Sequence, residues 1–168
     1  MNQLTKQIIT CAMRFDGVRE DPRHKNSGIE IDAWHQRAGS LPGDPWCVAF
    51  VWCMVDDACA LLKLKNPLPR TTSVHRLWQR SPEVWRVAAP CPGAIFLHDS
   101  GKGKGHAGFV TGIQQGAPGC LETIEGNTNP AGSREGDGVY WRTRSFDYAN
   151  LGYLDVSVAF GFPEVVAE

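Results

Sequence analysis

The chain lacks several features that would have fixed its class at once. No apolar run approaches the ~18 residues of a membrane span. There is no excess of charge: 17 Lys and Arg face 18 Asp and Glu, for a formal net charge of −1. That balance excludes the basic footprint of a nucleic-acid binder and the polybasic route to membranes. No CxxC pair and no HExxH motif is present, so the usual spacings of zinc and redox sites are missing. Internal repeats, low-complexity segments and a Pro/Ser-rich linker are absent as well. The opening MNQLTKQIITCAMRF lacks a basic stretch followed by a long apolar run, so it does not read as a secretory signal.

At 168 residues the expectation is one domain spanning 1–168, with enough buried surface for its own core. Six cysteines, at 11, 47, 53, 59, 91 and 120, permit a disulfide framework. Without export, free thiols are the default. Free cysteines are usually small buried hydrophobes.

Apolar spacing suggests a short amphipathic helix over 2–14. The polar stretch 16–32 reads as a loop, and 33–38 as a helical turn ended by Gly39. After the breaker LPGDP, WCVAFVWCMV is apolar on every side, as in a helix buried in the core. That helix is placed at about 45–63, with Asp44 as N-cap and Pro45 as its first residue. A further helix is expected at 72–80. Beyond Pro90 come short strand candidates: Ala94–His98, His106–Ile113, Leu121–Glu125, Val139–Arg144 and Tyr153–Phe160. Helices followed by an antiparallel sheet of about five strands make an α+β fold.

Cys47 differs from the other cysteines because it falls at a helix start. There the unsatisfied N–H groups and the helix dipole favour a thiolate. A thiolate nucleophile needs a base. His24 and His35 read as solvated, His75 lies in a helix beside Arg76, and His98 ends a strand at a rim. His106 opens the strand HAGFVTGI between Gly105 and Gly108, where it can approach another backbone closely. Glu125 and Asn127, two apart in TIEGN, share a strand face. Either could orient a histidine across the sheet. Cysteine, histidine and a polar partner in this order follow the logic of papain-like hydrolases.

The blocks GDPWCVAFV, PGAIFLHD, GHAGFVTGI and TIEGNTN resemble, in order, the signature blocks of the CHAP family. These are cysteine, histidine-dependent amidohydrolases/peptidases of the wider NlpC/P60 group. The resemblance covers roughly residues 14 to 155. It implies a papain-like fold whose buried central helix carries the nucleophile, and cleavage of amide bonds in peptidoglycan. Cys47 matches the nucleophile, His106 the general base, Glu125 the third residue and Asn127 an additional polar residue. The stretch GSREGDGVYWRTR resembles forms found in phage and prophage lysins.

One departure stands out. Only Asp44 is acidic in AGSLPGDPW, where some family members carry an acidic calcium loop, so no calcium site is expected. No other metal or cofactor is expected, and the chain reads as a monomer. It would be made in the cytoplasm and reach the wall by release or delivery, as a lysin or a toxin would.

Trp46, Trp78, Asn26 and His98 are candidate substrate-binding residues. Trp85 and the loop around Glu20 and Asp21 could also line a cleft. Two other readings stay open. One is a zinc-dependent wall hydrolase using His98, Asp99 and His106. The other is a non-catalytic wall-binding or disulfide-stapled domain, with all six cysteines oxidised.

Overall fold

A computed structural model gives the fold, and it describes residues 1–131 and 136–162. Four helices come first: α1 (Gln3–Met13), α2 (Ile29–Ala38), α3 (Cys47–Leu61) and α4 (Val74–Arg80). The strands follow: β1 (Arg86–Val87), β2 (Ile95–Gly101), β3 (Lys104–Ile113), β4 (Cys120–Thr128), β5 (Gly138–Ser145) and β6 (Gly152–Leu154). They form one sheet in the order β1-β6-β2-β3-β4-β5, antiparallel at each pairing. The α+β reading is therefore right. The lysin-like stretch GSREGDGVYWRTR falls partly on residues 132–135, which lie outside the described residues, and its later part forms β5.

The first part of α3 is buried because residues 47–55 leave it no polar face, while Asp56 and Asp57 further on are half-buried and pair with Arg37. Cys47, Val48, Ala49, Phe50, Val51, Cys53, Met54, Val55, Ala58 and Cys59 are all buried. It packs between α1 and α2 on one side and β3 and β4 on the other. An aromatic chain threads this core: Trp34 meets Trp46 and Phe50, and Phe50 meets Phe109 of β3, with ring centroids 5.3–6.2 Å apart. Such pairs add to the hydrophobic gain of burying the rings.

Several expectations need correction. Helix α2 begins at Ile29, inside the stretch read as loop. Its buried face, Ile31, Trp34, His35 and Ala38, has helical spacing, but one member is a histidine. His35 is wholly buried, not solvated. Its Nδ1 lies 2.7 Å from the Ser40 hydroxyl and its Nε2 3.1 Å from the Asn26 carbonyl. Asp44 does not cap α3, because its carboxylate accepts the Leu41 N–H and tightens the LPGDP turn. Trp46 occupies the cap position, so Cys47 is the first helical residue. The strand expected over Tyr153–Phe160 stops at Leu154. Asp155 Oδ1 accepts the N–H and O–H of Ser157 and turns the chain into a 3₁₀ helix, Val156–Phe160.

Gly126 lets β4 lie against α3. A Cβ there would sit 2.7 Å from both the Phe50 and the Trp46 rings. Since Glu125 and Asn127 flank it, this close approach also sets where those two side chains stand. Gly126→Ala should cost about 1–3 kcal/mol, the usual range for overpacking. A lowered urea midpoint with an unchanged m-value would show it.

Candidate active site

Position 47 places a thiol at the first residue of α3, where backbone N–H groups have no partner within the helix. The side chain is almost buried but opens onto a groove of about 290 Å³. The other cysteines lack this setting. Burial pushes Cys53 up to about 12 and Cys59 up to about 11, and raises Cys11. None of the six cysteines forms a disulfide, which runs against the disulfide-stapled alternative.

His106, near the start of β3, is buried and hydrogen-bonded to Cys47 on one side and Glu125 on the other. Its Nε2 donates to Glu125 Oε2 at 2.9 Å, which leaves Nδ1 to face the sulfur. Glu125 comes from β4 and is wholly buried. Two further groups hold it. Arg144 of β5 donates from Nε to Oε1 at 2.8 Å and from Nη2 to Oε2 at 2.6 Å. The Thr123 hydroxyl donates to Oε1 at 2.7 Å. Gly108 of β3 supplies the clearance, since a Cβ there would press on the Phe96 ring and on Glu125 Cγ.

The electrostatics follow from these contacts. Burial alone would raise the Glu125 carboxyl, but Arg144 and His106 outweigh it and hold it at about 2. Burial alone would lower His106, but its hydrogen bonds to Cys47 and Glu125 push it up to about 9. A carboxylate ionised at neutral pH fixes the imidazole tautomer and supports an imidazolium.

Asn127 lines the groove near the end of β4, where the strand register shifts, with φ +57°. Its buried Oδ1 has no hydrogen-bond partner among the described residues. Asn26 lines the groove as expected and is held by a bond from Nδ2 to the Gly43 carbonyl. His24 and Lys104 also line it, and neither was singled out from sequence.

Other expected groove residues lie elsewhere. Trp46 is fully buried, and its Nε1 donates to Glu20 Oε1 at 2.9 Å. Glu20 is itself buried and binds the Lys25 N–H, so it anchors the 16–28 loop instead of facing a cleft. Trp85 is buried, and Trp78 lies beneath the Arg86 guanidinium, 4.3 Å from its ring. His98 is stacked on Tyr148 at 4.2 Å and donates from Nδ1 to the Tyr148 carbonyl. Asp99 pairs with His75 at 3.1 Å. Among the described residues, no three His, Cys, Asp or Glu side chains gather to hold a metal ion, so the zinc alternative has no ligand set.

A family model for the CHAP domain matches residues 39–127, slightly more than half of the chain. The chain belongs to the CHAP domain family. CHAP domains are generally amidases or peptidases with a peptidoglycan-related function. No curated protein and no solved structure matches the chain. The matched span of this CHAP domain includes Cys47, His106, Glu125 and Asn127, whereas Arg144 lies beyond it.

The buried pair also predicts a pH dependence of stability. His106 has a raised pKa, so its contribution is full below pH 6.5 and is lost as pH rises through about 9. Glu125 has a lowered pKa, so its contribution is full above pH 4.5 and is lost as pH falls toward about 2. Urea midpoints measured at pH 6 and pH 9.5 should fall for the native chain. The fall should be smaller for His106→Gln.

Proposed function

We propose that the protein is a peptidoglycan hydrolase that cleaves an amide or peptide bond of the bacterial wall through a thioester on Cys47. The observation that carries this reading is the continuous chain of contacts from Cys47 through His106 to Glu125, at a helix start and beside a groove. Membership of the CHAP family supports the class of bond.

In this scheme the Cys47 proton passes to His106, giving a thiolate and an imidazolium that Glu125 stabilises. The thiolate attacks the carbonyl carbon, and the oxygen gains charge beside the Cys47 N–H and the positive end of α3. His106 gives its proton to the leaving amine, and the C–N bond breaks. Water then attacks the thioester while His106 takes a proton from it. The acid is released, and the proton returns to the sulfur. Asn127 offers its Oδ1 as an acceptor for a substrate N–H in the groove. Cys47, His106, Glu125 and Asn127 all come from one chain, so the scheme needs no second subunit.

The test is loss of turbidity of purified cell walls. Cys47→Ala should slow it by at least about 1000-fold, the scale on which removal of a nucleophile acts. Stoichiometric iodoacetamide should abolish activity with the label on Cys47. Wild-type rates from Cys47→Ala would sink the reading.

A further inference from the structure

The Glu125 carboxylate has room for about four hydrogen-bond donors, and four are present. Oε1 accepts from Thr123 Oγ1 and Arg144 Nε, and Oε2 from His106 Nε2 and Arg144 Nη2. Two of the four come from one guanidinium, in the bidentate geometry that carries both charge and orientation. Arg144 is in turn held in place: its Cζ lies 4.3 Å from the centre of the Tyr148 ring, against which His98 stacks.

The geometry points to Arg144 as a positioning residue that locks Glu125 as an anionic acceptor, so that the proton shared by Cys47 and His106 cannot pass on to the glutamate. This rests on the cysteine-hydrolase reading above. Without Arg144, a wholly buried carboxylate would keep only the Thr123 and His106 donors, and its one close counter-charge would be the imidazolium that it has to support. Such a group takes up a proton instead of staying ionised. A protonated Glu125 would no longer support an imidazolium on His106. With Arg144 present, the charges of Arg144 and Glu125 cancel, and proton transfer from sulfur to imidazole takes place beside a neutral pair. The groups that face this pair are His106 from β3, Cys47 from α3, Tyr148 from the turn after β5, and Arg142, whose charge is felt at Tyr148.

The test compares native chain, Arg144→Met and Arg144→Lys by three readouts. These are wall turbidity, the urea midpoint, and the rate of Cys47 alkylation by iodoacetamide from pH 4 to 9, read by mass spectrometry of the Cys47 peptide. Arg144→Met should lower hydrolysis by up to about 100-fold, as a misplaced catalytic group does. It should also move the acid limb of the alkylation profile upward by about one pH unit or more. Arg144→Lys keeps the charge but not the fork. It should hold the limb near its native position while recovering hydrolysis only in part.

A folded Arg144→Met chain with native rate and native profile overturns the proposal. So does one that loses stability alone. If Arg144→Met does not fold, Arg144→Lys decides: native hydrolysis from it overturns the proposal. The two readings separate cleanly. Activity in Cys47→Ala removes the hydrolase mechanism, whereas an inactive Cys47→Ala beside an unperturbed Arg144→Met removes only the role of Arg144.

Discussion

Everything at the candidate site depends on burying one negative charge. Glu125 has to leave water for its effect on His106 to be strong, because electrostatic interactions weaken in a high dielectric. Leaving water is costly unless the charge is paired and hydrogen-bonded. Three adjacent strands share that task. β3 brings His106, β4 brings Thr123 along with the carboxylate, and β5 brings Arg144. The register makes the meeting possible: Thr123 is paired with Arg142 and Glu125 with Tyr140, so Arg144 reaches past Thr123 to the acid. Gly108 and Gly126 leave the space in which these strands and α3 can close together.

The helix start is the second fixed point, and it is held from a distance. Trp46 is sealed between Trp34 and the Glu20 carboxylate. Glu20 also binds the backbone of its own loop and is tied through its N–H to the Asp137 carbonyl, just before β5. The loop over 16–28 therefore links α3 to the same edge of the sheet that carries Arg144. A segment that reads as solvated by composition is structural, through one buried acid and the backbone bonds of residues 17–19 to the start of β5.

Much of this was legible in the sequence, and the reasons are local. The all-apolar stretch after Pro45 identified α3, and alternation with Gly punctuation located most of the strands. Cys47, His106 and Glu125 stood out because each falls at or near the end of an element as read from the sequence. Arg144 did not, since its meaning lies in strand register and in the identity of a neighbour 19 positions away. The same limit hid the first turn of α2, whose end at Gly39 was legible but whose buried face contains a histidine made acceptable by Ser40 and a backbone carbonyl. It also misplaced Trp46 and His98. Trp46 adjoins Cys47 in sequence and His98 pairs with His106 across the sheet, yet one turns into the core and the other stacks on Tyr148.

The bidentate contact from β5 bears on where this catalytic unit can be cut. The family match closes at residue 127, and the span it covers contains every residue of the motif. The cation opposite the buried acid lies seventeen positions further on, in a strand outside that span. A fragment trimmed to the matched boundaries would keep the proposed catalytic side chains around an anion stripped of its guanidinium partner. On the proposed mechanism the functional module is larger than its signature, and domain exchange or fusion at this site has to carry β5 along with the motif.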